Sequence, residues 1–153
     1  MNYTVKIDIT KCTYLADYFT AKYGSGILEF PKNHLVHRRM QMLLKPDDRF
    51  IQNYQDDFIE IQLQDYRRID TRRFNKLSSV GEAEIIATLK NEMWADFDAY
   101  AIECECLEKK TVLYSFMEDH NLNEDTYDML RKHLTRLPEK TNKIRSKVAT
   151  SRG

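Results

Sequence analysis

Between Ser79 and Leu107, apolar residues recur every three or four positions (Ile85, Ile86, Leu89, Met93, Trp94, Phe97, Tyr100, Ala101, Cys104 and Leu107), and no proline interrupts them. That interval returns side chains to one face of an α-helix and to neither face of a strand. The stretch predicts one helix, about 40 Å long at ~1.5 Å per residue, or two helices broken near Cys104. At its head, Ser79-Val80-Gly81-Glu82 has the spacing of a capping box, in which the two polar side chains satisfy free backbone N–H groups reciprocally.

The first half of the chain follows another rhythm. Tyr3, Val5, Ile7 and Ile9 alternate with Thr4, Lys6 and Asp8, the period of a strand with one buried face. From about Lys11 to Tyr23 the period becomes helical through Leu15, Tyr18, Phe19 and Tyr23, with Thr10 as the expected N-cap and Gly24-Ser25-Gly26 as the stop. Ile27 to Phe30, before Pro31, reads as a second short strand. Asn33 is then placed to cap a helix carrying Val36, Met40, Leu43 and Leu44 on one stripe and ending before Pro46. Lys45 to Asp57 is polar and turn-like, and Phe58, Ile59, Ile61 and Leu63 form a third strand, where the sheet is expected to end. A chain of 153 residues with 42% hydrophobic content fits one folded domain. The fold class is therefore α+β: a small N-terminal β-α-β-α-β layer over 1–65 and a helical half over 77–137, in one domain spanning 1–137, followed by a flexible basic tail over 138–153.

Charge is balanced overall, with 24 basic and 24 acidic residues, but it is not evenly placed. From Arg131 onward there are eight Lys/Arg and one acid, Glu139. Such an asymmetry marks an arm able to meet a polyanion, or a solvated tail. A second basic cluster, Arg67, Arg68, Arg72, Arg73 and Lys76, is interleaved with Tyr66 and Phe74. It can pair with the chain's many acids or join the tail in one basic surface; the sequence leaves both open.

The most specific pattern lies between Lys109 and Leu137. Val112, Leu113, Phe116 and Met117 form the apolar face of a short helix, His120-Asn121-Leu122-Asn123 reads as a turn, and Tyr127, Leu130, Leu134 and Leu137 define a second helix. Two short helices so closely joined predict a helix-turn-helix-like pair, whose second helix can enter the DNA major groove. Asn121 fits the turn position that tolerates positive φ, whereas Met117 stands where a small residue is usual. On the second helix Lys132, Arg136 and Lys140 recur every four residues, with His133 and Met129 beside them. The nucleic-acid-binding residues expected from this pattern are Lys132, His133, Arg136 and Lys140, with Lys143, Arg145 and Lys147 of the tail following phosphates. The same cations also suit the solvated C-terminal end of any amphipathic helix.

Other chemistry finds little footing. His34 and His37 share a helical face, but no nearby Cys or carboxylate completes a metal-ligand set. There is no Gly-rich phosphate loop, no Gly-x-Ser-x-Gly, no His-Glu-x-x-His and no Cys-x-x-Cys, and four glycines offer few places for close backbone approach to a cofactor. No catalytic residue, cofactor or metal is expected. Three cysteines, Cys12, Cys104 and Cys106, are an odd number, and neither an export signal nor an apolar run of membrane length is present, so a reducing, cytoplasmic setting is expected.

The run YSFMEDHNLNEDTYDMLRKHLTR, together with the order strand, helix, long aromatic helix and then this run, resembles small proteins carried by bacterial prophages and other mobile elements, most strongly over about residues 74–137. The resemblance implies an accessory or regulatory protein acting on DNA, and no catalytic residue. Duplex DNA is thus the expected partner, with a homodimer open. The competing reading is a protein–protein interaction or structural module, in which Trp94, Phe97 and Tyr100 pack on a partner or on a second copy.

Overall fold

Val5 and Ile7 are the inward residues of the first strand, β1 (Thr4–Asp8), and Ile9 continues their line just beyond it. The computed structural model describes residues 3–46 and 57–136. Mixed helix and strand make the class α+β. The chain divides into two compact units, Met1–Met93 and Trp94–Gly153. The division falls inside the long helix, where the apolar stripe runs on without a break in the sequence.

In the first unit β1 pairs antiparallel with β3 (Phe58–Gln62), setting Val5 against Ile61 and Ile7 against Ile59. Four buried aliphatic residues thus meet in register across one face, the cross-strand unit that stabilises a small sheet. The expected strand over 27–30 is reduced to a single parallel bridge between Leu28 and Ile61. It is made by Leu28 N–H donating to the Glu60 carbonyl at 2.8 Å and Gln62 N–H donating to the Leu28 carbonyl at 2.9 Å. Pro31 follows closely and cannot donate to a ladder, which helps to limit that pairing.

Three expected caps shift by one to a few residues, each for a local reason. Thr10 does not cap the first helix, α1 (Tyr14–Tyr23), because its N–H and hydroxyl both donate to Asp8 Oδ1, at 2.9 and 2.5 Å. Those bonds hold the Asp8 carboxyl below its ordinary range. At the other end the stop is as expected: Gly24 takes φ 101°, where a Cβ would be strained, and its N–H reaches the Thr20 carbonyl. The second helix, α2 (Leu35–Leu43), is capped by His34 rather than Asn33, with Nδ1 accepting from Val36 N–H at 3.0 Å. The long helix, α3 (Ser79–Glu103), is capped by Ser78, whose Oγ accepts from Gly81 N–H at 3.1 Å, so the expected Ser79–Glu82 box is out by one position.

The reason for that last shift is a second sheet, which the sequence pattern did not reveal. Leu44–Pro46 forms strand β2 and pairs antiparallel with β4 (Phe74–Leu77), setting Leu44 against Leu77. Leu77 belongs to that ladder, so Ser78 is the first residue free to cap. Strand structure therefore continues beyond the third strand, in a separate two-stranded sheet, and Lys45 and Pro46 are strand residues, not turn. The remainder of the expected turn, 47–56, lies outside the described residues.

Leu15, Tyr18 and Phe19 of α1, Val36 and Met40 of α2, and Ile85, Leu89 and Met93 of α3 join the buried apolar set of this unit. Glu92 ties three of its segments together. Its carboxylate accepts from the Tyr23 hydroxyl at 3.2 Å and from His34 Nε2, and it pairs with Lys22 at 3.5 Å. His37, 3% exposed, donates from Nε2 to the Phe30 carbonyl at 3.1 Å and accepts at Nδ1 from the Tyr66 hydroxyl at 2.8 Å. Burial pushes the His37 imidazole below its ordinary value and the Tyr66 phenol up to about 12.

Candidate nucleic-acid interface

The second unit begins at Trp94 and contains the end of α3, helix α4 (Lys109–Asp119) and helix α5 over 127–136. The long apolar stripe ends as a helix at Glu103, and Cys104 to Leu107 form the turn into α4, the break that the sequence allowed. Phe97 and Phe116 are fully buried and meet edge to face, ring centroids 4.9 Å apart. Val112, Leu113 and Met117 of α4 and Leu130 and Leu134 of α5 join them in the apolar set. Tyr100 lies over Phe116 with its hydroxyl 2.5 Å from Ser115 Oγ.

The turn between the two short helices has the chemistry that the sequence pattern required. Asn121 stands at φ 52°, the left-handed region, and Leu122 is buried immediately after it. Leu122 N–H donates to the Met117 carbonyl at 2.8 Å, closing the end of α4. A 3-10 turn, Glu124–Thr126, then leads directly into α5. Met117 is accommodated in the buried set although a small residue is usual there.

α5 divides its polar residues between two environments. Lys132 and Arg136, one helical turn apart, are exposed and make no ion pair among the described residues. Arg131 is exposed too but pairs with Asp128 at 3.6 Å. His133 does not share the face of Lys132 and Arg136. It is turned inward, stacked on Trp94 at 4.1 Å and 17°, with Nε2 donating to Asp98 Oδ1 at 2.5 Å. A rotation of ~100° per residue separates 133 from 132 on a helix, enough to carry it from the open face to the packed one. Lys140, Lys143, Arg145 and Lys147 lie outside the described residues.

Electrostatics narrows where a polyanion can approach. Residues 94–136 hold five Lys/Arg against ten Asp/Glu. Acids thus outnumber cations in most of this unit; exposed cations stand at two places, Lys109 and Lys110 at the start of α4 and the end of α5, and only the latter is continued in sequence by a basic segment, from Lys140 to Arg152. The aromatic residues offered for a protein partner are engaged internally: Phe97 is buried, Trp94 carries His133, and Tyr100 bonds Ser115.

His34 and His37 offer no ligand pair, since both nitrogens of each are occupied as described above. Among the described residues no group of three or more His, Cys, Asp or Glu side chains is arranged to hold a metal ion. Cys12 is buried, Cys104 half-buried and Cys106 exposed, all as free thiols. No helix among the described residues is long and apolar enough to cross a membrane. Comparison with protein-family models, with curated proteins and with solved structures returns no match.

Proposed function

We propose that the chain is a DNA-binding accessory or regulatory protein of a phage or mobile element, and that it meets duplex DNA with the C-terminal end of α5 and the basic segment that follows. The reading rests on one observation above others: Lys132 and Arg136 are exposed, one turn apart and without ion pairs among the described residues, on the second helix of a pair joined by a left-handed Asn121. Guanidinium and ammonium groups held this way can contact phosphates, and Arg136 can bond a guanine edge bidentately. Lys143, Arg145 and Lys147 add sequence-independent affinity. His133 supports the helix instead of touching the groove.

Fluorescence anisotropy with a labelled random duplex, at low and moderate salt, tests this reading. The intact chain is compared with a Lys132→Ala/Arg136→Ala variant and with a chain ending at Leu137. Salt-dependent binding that weakens in both variants supports the proposal. Absence of binding at low salt sinks it and leaves an interaction module, for which Ile102, Leu107 and Tyr114 are the large exposed apolar residues among the described residues of the second unit.

A further inference from the structure

The segment joining β3 to β4 is anchored at both ends and open in the middle. At one end the Tyr66 hydroxyl donates to buried His37, with the two rings 5.8 Å apart. At the other, the Asp70 carbonyl accepts from Arg73 N–H at 3.0 Å and Phe74 N–H at 2.9 Å, Thr71 is buried, and Asn75 Nδ2 donates to the Thr71 carbonyl at 3.1 Å. Residues 65–71 surround an open pocket of about 350 Å³, and the exposed Arg67 and Arg68 line it.

Charge in this loop is partly cancelled and partly not. Arg72 is engaged: its Nε and Nη2 meet Asp70 Oδ1 and Oδ2 at 3.2 and 3.3 Å, and its N–H donates to Oδ1 at 3.0 Å. Those bonds hold the Asp70 carboxyl below its ordinary range. Arg67, Arg68 and Arg73 make no side-chain hydrogen bond or ion pair among the described residues. Asp65 is the one lining carboxylate that Arg72 does not engage, and the two lining guanidiniums, Arg67 and Arg68, outweigh it. The pairing with acids that could have absorbed this cluster therefore takes up Arg72, with the charge of Arg73 also acting on Asp70, but leaves Arg67 and Arg68 open.

We infer that the 65–73 loop is a phosphate-binding site of the first unit, one that does not depend on the α5 reading. Adjacent guanidiniums present planar forks of N–H donors, and a phosphate has enough oxygens to accept from more than one fork. A loop fixed at both ends loses little conformational freedom when it binds. The group recognised is the phosphate itself, carried by a free nucleotide or by a nucleic-acid strand.

The test is NMR of the full chain, following backbone amides 65–73 and the arginine Nε–Hε signals during titration with inorganic phosphate and, separately, with a short oligothymidine strand. Saturable shifts in this loop are expected, with affinity about tenfold weaker in Arg67→Gln/Arg68→Gln and unchanged in Lys132→Ala/Arg136→Ala. Shifts with inorganic phosphate assign the site to a free phosphate group; shifts with the strand alone assign it to a backbone. No saturable shift from either probe, equal affinity in the Arg67→Gln/Arg68→Gln chain, or loss of binding in the α5 variant overturns the inference. Because the α5 variant is read in the same experiment, failure of this site and failure of the α5 interface give different patterns.

Discussion

The imidazole of His133 lies flat against the indole of Trp94, ring centroids 4.1 Å apart, while its Nε2 reaches Asp98. One side chain thus joins α5 to α3 by a stack and a hydrogen bond together. His133→Ala removes both and should cost about 2 kcal/mol. Trp94 is the single tryptophan of the chain, so its emission reports the loss of the stack, and urea unfolding measures the energy. DNA affinity per folded molecule should stay near that of the intact protein, because this residue is turned away from the face of Lys132 and Arg136.

At the turn before α5, the left-handed backbone of Asn121 makes a different demand. Asn121→Gly should be neutral or slightly stabilising, whereas Asn121→Val should destabilise by about 1–2 kcal/mol, because a branched Cβ crowds the carbonyl in that region. Thermal unfolding of the two variants decides it. Equal melting temperatures would mean that the turn relaxes to negative φ.

Stability should fall at both ends of the pH scale because burial shifts two neighbouring groups, His37 and Tyr66, in opposite directions. His37 is held below the ordinary histidine value of 6.5, so the unfolded chain takes up a proton that the folded one refuses. Its contribution is whole above about pH 6.5 and is lost as pH falls toward the folded value. Tyr66 behaves in the opposite sense: its unfolded phenol ionises near 10 and the folded one near 12, so stability is lost as pH rises through that window. Melting temperature against pH should show a weaker acid limb in His37→Gln and a weaker alkaline limb in Tyr66→Phe.

Salt provides the sharpest check on the α5 interface. Each phosphate neutralised in duplex DNA contributes ~0.9 to the slope of log affinity against log salt. Lys132→Ala/Arg136→Ala should lower that slope by about 2 if each residue contacts one phosphate. Arg131→Ala should lower it less, since Asp128 already pairs with that guanidinium.

Strong periodicity was legible, and pairing partners were not. The alternation of Val5 and Ile7, the stripe of α3 and the Asn121 turn could all be seen because each is a property of consecutive residues. The second sheet could not: Leu-Lys-Pro is too short to alternate, and Phe-Asn-Lys-Leu becomes a strand only because Leu77 meets Leu44. Cap positions failed where a neighbour competed for the same group, as Asp8 does for Thr10. His133 illustrates the limit for the site. Its place beside Lys132 suggested a shared face, and only Trp94 and Asp98, 35 or more positions earlier in the chain, show that it belongs to the packed one.

Glu92 has a consequence for the order in which the first unit assembles. Its partners Tyr23 and His34 lie 69 and 58 residues away in the sequence, so the carboxylate can meet them only after a long stretch of chain has closed. Contacts of that kind form late. Glu92→Ala should leave the refolding rate nearly intact and speed unfolding, placing the lost energy on the descending side of the barrier. Stopped-flow chevron arms would show it, and the residue would then act as a latch on the finished unit instead of a seed for it.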